Sequence, residues 1–157
     1  MMGRRRAFTL IEAVVIVVVL AIAIPTTLTF LNDANQRRVD SVNTTRATAL
    51  ATCVMEHVLA DVSSKASGLG FSALSNSNAY LNTAGTGLVA RLSTFTNLYS
   101  GMGMTYTVTI GPLADKTGVA TGVVTEDVFR VVTVAVSFTG ADGTARTLNI
   151  KSMVTSL

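Results

Sequence analysis

From position 13 to 24 the chain reads AVVIVVVLAIAI, with no polar side chain. Continuing through Pro25 to Leu31 gives 19 residues without a charge. At about 1.5 Å rise per residue, a helix of that length roughly spans a hydrocarbon core of about 30 Å. The pattern then changes. Over residues 32–64, Val39, Val42, Leu50, Val54, Val58 and Val62 recur at steps of three and four or their multiples. Arg37, Arg38, Asp40, Arg46, Glu56 and Asp61 fall between them as a polar face. This spacing predicts an amphipathic continuation of the same helix, stopped near Gly68 and Gly70.

Residues 66–103 are rich in Gly, Ser, Asn and Thr and read as a loop region. Within it Leu88, Leu92, Phe95 and Tyr99 step at three and four, which predicts a short helix over 87–99. After residue 104 the period becomes two. Tyr106, Val108 and Ile110 alternate with Thr105, Thr107 and Thr109. Val132, Val134, Val136 and Phe138 alternate with Thr133, Ala135 and Ser137, and Leu148, Ile150 and Val154 line a last strand with Asn149 and Lys151 outward. Asp142-Gly143 is a hairpin signal. Residues 111–127, with Pro112 and Gly118 as breakers, read as a long loop or irregular hairpin whose Asp115, Lys116, Glu126 and Asp127 are solvated charges. One apolar sheet face needs a cover, and the amphipathic helix supplies it. The expected fold is therefore α+β: a long N-terminal helix packed on a small antiparallel sheet of three to four strands. The expected organisation is 1–7 basic leader, 8–31 apolar helix, 32–65 amphipathic helix, 66–103 variable region and 104–157 sheet.

Composition sharpens this picture. The mean hydropathy of +0.52 is high for a water-soluble domain of 157 residues, and much of it comes from the apolar stretch. Arg4, Arg5 and Arg6 are three of the twelve Lys and Arg residues, so the remainder carries nine basic against nine acidic groups. The excess charge belongs to the leader. It argues for membrane orientation with the arginines on the cytoplasmic side, and against nucleic-acid binding, which needs a basic patch on the folded part. The single cysteine, Cys53, excludes an internal disulfide.

Three readings of the N-terminal segment compete. One is a plain signal anchor. Another is a cleaved secretory signal, with Ala21-Ile22-Ala23 as a small-residue cut site and a faint twin-arginine flavour before Phe8. The third turns on Glu12. A carboxylate inside an apolar helix costs about 2.5–3.5 kcal/mol on insertion scales if central and unpaired, so it calls for a named partner. A chain-terminal amine is largely cationic at neutral pH. A cut between Ala7 and Phe8 creates one a helical turn from Glu12, and residues four apart share a helix face.

Phe8-Thr9-Leu10-Ile11-Glu12, after basic residues and before a valine-rich run, resembles the processing motif of type IV pilins and type II secretion pseudopilins. The resemblance covers about the first quarter of the chain. It implies cleavage after Ala7 by prepilin peptidase and N-methylation of Phe8. It also implies that Glu12, as fifth mature residue, neutralises the terminal amine of a neighbouring subunit during assembly. The implied partners are prepilin peptidase, other pilin or pseudopilin subunits and inner-membrane lipid. The implied location is a single pass through the inner membrane, N-terminus cytoplasmic and C-terminal domain periplasmic, then the filament. Two positions depart from the family pattern. Ala7 stands where glycine is usual, and Pro25 stands about one turn before the usual proline position near Thr29, which predicts a kink or local melting deeper in the apolar segment.

Other chemistry is sparse. Cys53, His57 and Asp61 lie at i, i+4 and i+8 with Glu56 adjacent. A metal stripe on one helix lacks a second ligand set, and the simpler expectation is a core cysteine with a rim histidine. No nucleophile elbow, metal-ligand pair or phosphate loop is present, and one histidine leaves little acid–base capacity. The expectation is a structural subunit, a minor pilin or pseudopilin with no cofactor, no metal and no enzymatic activity. By the resemblance, the missing second cysteine excludes the C-terminal disulfide that many type IV pilins carry and leans towards a pseudopilin or minor component. The alternative is an exported or membrane-anchored binding or adaptor protein.

Overall fold

The structure is a computed structural model, and it describes residues 9–156. Its elements run α1 (Leu10–Ser63), a 3-10 turn (Phe71–Ser75), α2 (Ser77–Asn82), α3 (Leu88–Ser100), β1 (Thr105–Ala114), β2 (Phe129–Thr139) and β3 (Ala145–Thr155). The strands form one antiparallel sheet in the order β1-β2-β3. The fold is α+β, a long N-terminal helix packed on a three-stranded antiparallel sheet. Contacts divide the chain into two units, Met1–Val39 and Asp40–Leu157.

In the second unit the core lies between α1 and the sheet. Leu50, Val54 and Val58 are buried at helical spacing, with Ala47, Ala51 and Met55 beside them. From the sheet, Val132, Val134 and Val136 are fully covered, as the period-two pattern of the central strand requires. Each such Val or Leu side chain contributes about 1.5–3 kcal/mol by leaving water. The predicted inward position Val42 is instead 43% exposed. The buried stripe begins only at Ala47, because the helix there meets the β2–β3 turn through polar groups. Asp40 Oδ1 accepts from Ala141 N at 2.7 Å, Asp40 Oδ2 pairs with Arg146 Nη1 at 2.8 Å, and Asn43 Nδ2 donates to the Thr139 carbonyl at 3.3 Å.

The middle region is more ordered than its composition suggests. The short helix stands as expected, at Leu88–Ser100. The 3-10 turn and α2 precede it, α2 being capped by Asn76, whose side chain accepts from Ala79 N at 3.1 Å. Leu74, Tyr80, Leu88 and Leu92 enter the same core as α1 and β2, so this region is a covering layer.

Two expectations for residues 111–127 are corrected. Gly111 and Pro112 do not end the strand; β1 runs on to Ala114 through a register shift between Ile110 and Leu113. An edge strand tolerates a proline at such a bulge, and Arg130 Nη1 donates to the Gly111 carbonyl there at 3.0 Å. Nor are Asp115 and Asp127 simply solvated. Asp115 Oδ1 accepts from Thr117 N and Val119 N. Asp127 is buried and takes Thr121 N, Thr121 Oγ1 and Gly122 N. The two aspartates shape the loop from within, while Lys116 and Glu126 are exposed.

Candidate functional site: the apolar helical segment and Glu12

Every residue from Leu10 to Leu31 is exposed. Leu10 is 86% exposed, and valines 14, 15, 17, 18 and 19 are all more than half exposed. This end of α1 is long and apolar enough to cross a membrane, and none of that window is buried. The helix is unbroken through Pro25, so of the expected kink or local melting the melting is absent. A proline removes an N–H and crowds the carbonyl four residues before it. Hydroxyls add bonds around that gap: Thr26 Oγ1 donates to the Ala23 carbonyl at 2.9 Å, Thr27 Oγ1 to the same carbonyl at 2.8 Å, and Thr29 Oγ1 to the Thr26 carbonyl at 2.8 Å. The threonines thereby satisfy their own hydroxyls within the helix.

At the helix start Thr9 is the N-cap. Its Oγ1 accepts from Glu12 N at 3.3 Å, and its carbonyl accepts from Glu12 N and Ala13 N at 3.1 and 3.2 Å. Thr9-Leu10-Ile11-Glu12 has the T-x-x-E spacing of a capping box, a signal present in the sequence that the reading of its first residues passed over. Glu12 also lies in the first turn, where the helix dipole favours an anion. Among the described residues its carboxylate makes no ion pair. Ala7 and Phe8, the expected cleavage junction, lie outside the described residues, as does the Phe8 amine.

The Cys53–His57–Asp61 stripe does not converge. His57 Nδ1 is 2.8 Å from the Cys53 carbonyl and 3.8 Å from Cys53 Sγ, while the Asp61 carboxylate is taken up by Tyr80 and Arg91. Cys53 is half-buried and His57 exposed. Burial and the nearby Glu56 carboxylate push the thiol up from its ordinary range. No group of three His, Cys, Asp or Glu side chains meets at one point among the described residues.

Asp61 is the largest departure from expectation. Placed on the polar face by its charge, it is instead buried. Arg91 pairs with both its oxygens, through Nη1 at 2.9 Å and through Nη2, and Tyr80 OH donates to Oδ2 at 2.7 Å. Burial pushes the Asp61 carboxyl up, but the hydrogen bonds from Arg91 and Tyr80 outweigh it and hold the group below its usual range. Burial, then the bond to Asp61, raises the Tyr80 phenol. The signal was in the spacing: Asp61 lies three residues after Val58 and seven after Val54, on the buried stripe. The triad ties α1 to α2 and α3. Its ions are matched, which marks a structural clamp.

Comparison with known proteins finds no matching family model, no matching curated protein and no matching solved structure.

Proposed function

We propose that the chain is a structural subunit of the pilin or pseudopilin kind, a minor component cut between Ala7 and Phe8 by a prepilin peptidase and built into a type IV pilus-like or type II secretion filament. The observation that carries this reading is a lone carboxylate, Glu12, in the first turn of α1, at its exposed apolar end, directly behind a basic stretch and within Phe8-Thr9-Leu10-Ile11-Glu12. An exposed apolar surface of this extent needs a cover. Inner-membrane lipid covers it before assembly and packed helices of neighbouring subunits cover it afterwards. In both settings Glu12 needs a cation, and the methylated amine of Phe8 on an adjacent subunit is the one the processing step creates. The arginines hold the N-terminus on the cytoplasmic side and leave the sheet domain outside. The role is architectural, without catalysis or cofactor.

The Thr9 cap supports a second reading, in which Glu12 is a helix-capping acid of an uncut membrane anchor and the outer domain is an adaptor. Intact-mass measurement of the chain isolated from its native membrane separates them. Loss of residues 1–7 with gain of one methyl group is the expected result. Retention of the full N-terminus supports the anchor, and a cut near Ala23 supports a conventional signal; either ends the filament reading.

A further inference from the structure

The two outer strands of the sheet are finished differently. The β1 edge is interrupted: Pro112 lies within the strand, its register slips between Ile110 and Leu113, and α2 lies against it. The β3 strand has no proline and no register slip. Its register with β2 runs unbroken through eleven pairs, from Phe129↔Thr155 to Thr139↔Ala145. The turn sets which backbone groups face out. Gly140 N donates to the Thr144 carbonyl at 2.8 Å and Gly143 N to the Gly140 carbonyl at 3.0 Å, a three-residue hairpin with Gly143 at φ 78°. The ladder alternates from there, so Thr147, Asn149, Lys151 and Met153 turn their N–H and C=O groups away from β2. No hydrogen bond reaches those groups among the described residues. Beyond its ladder, among the described residues, β3 bonds only through side chains: Arg146 to Asp142 and Asp40, Thr147 with Ser137, and Thr155 to the Val128 carbonyl.

A long regular edge of unpaired amides and carbonyls is a template for one more strand, unless bulges, prolines, covering elements or a lysine that the incoming strand leaves unmatched block it. Side chains narrow the chemistry of that strand. On the inner row Leu148 and Ile150 pack against the core and are half-buried, so the apolar face runs to the edge and is partly open there. On the outer row Lys151 is exposed and unpaired among the described residues. The strand carries no acid, and its other cation, Arg146, is held by Asp40 and Asp142. We propose that the β3 edge is a docking site for an extended segment of a partner protein that alternates apolar and polar residues and presents a carboxylate beside Lys151. None of the residues 10–31 is involved, so this site stands or falls apart from the membrane and filament reading.

The test uses the full chain in detergent micelles or nanodiscs. The probe is a synthetic peptide of β3 length alternating valine and threonine with one central glutamate, and its control carries lysine in place of the glutamate. With the glutamate peptide at about 1 mM, the amides of Thr147, Asn149, Lys151 and Met153 are expected to exchange about tenfold more slowly, with β1 amides unchanged. Lys151→Glu should switch the preference to the lysine peptide. Asn149→Pro removes one outward donor without touching the β2 ladder, and should abolish the protection at an unchanged melting temperature. Unaltered exchange at those four amides, equal protection by both peptides, or a Lys151→Glu chain that keeps the original preference would each overturn the site. Should Asn149→Pro fail to fold, the Lys151→Glu comparison decides alone.

Discussion

At the residue scale, Glu12 answers to two demands that a substitution can separate. As a cap partner it needs only a polar side chain at the third helical position, where Gln serves as well as Glu. As the counter-ion of a terminal amine it needs its charge. Glu12→Gln should therefore leave the helix start and the cut after Ala7 intact while reducing incorporation into filaments. Quantifying mutant against wild-type subunit in sheared filaments checks this. Equal incorporation would assign Glu12 to capping alone. Glu12→Ala removes both roles, so it cannot tell them apart. Asp61 teaches the opposite lesson about a lone acid in an apolar stripe. Its cation, Arg91, is 30 residues away in sequence and is brought to it by folding. A charge on a buried stripe is a request for a partner; its position says that one is needed, and only the fold says which.

At the element scale, periodicity located α1, α3 and all three strands, because each buries one face and its apolar side chains repeat at that element's own pitch. It failed where no period exists. The 3-10 turn and α2 are five and six residues long, too short for a stripe, and tertiary contacts through Leu74 and Tyr80 hold them. It failed again at Pro112, where a breaker inside an edge strand costs little. The β2–β3 hairpin was legible from Asp142-Gly143 for a local reason. Asp142 Oδ1 accepts from Thr144 N at 3.0 Å, and Gly143 takes the left-handed conformation at φ 78°. A Cβ at Gly143 would meet nothing within 4 Å, so Gly143→Ala should cost backbone strain alone, about 1–2 kcal/mol. Thermal melting of the full chain followed by its sheet signal measures it. A loss well beyond that would mean the turn is packed against something further.

At the scale of the whole molecule, the second unit is pinned by aspartates from several elements. Asp61 clamps α1 to α2 and α3, Asp115 and Asp127 order the β1–β2 loop, and Asp142 shapes the hairpin. Folding lowers the pKa of each. For Asp61 the bonds from Arg91 and Tyr80 outweigh burial. Asp115 is held mainly by the Thr117 hydroxyl and Asp127 by the Thr121 amide. Asp142, bonded by the Thr144 hydroxyl and amide, falls to about 2 from 3.8. A group whose folded pKa is depressed contributes stability above its unfolded value and loses it as pH falls through the folded one. The melting temperature should therefore be level between about pH 5 and pH 8 and fall progressively between about pH 4 and pH 2. Melting curves across that range check it, and a midpoint unchanged at pH 2 would remove the aspartates from the account. By itself the sequence determined the apolar segment, the place of Glu12 and the alternation of the strands, because each is a property of neighbouring residues along one element. Only the tertiary structure decided that Asp61 is buried with Arg91 and Tyr80, that the middle region closes the core, and that β3 keeps an open edge. Those depend on which distant groups meet, and no local period encodes that.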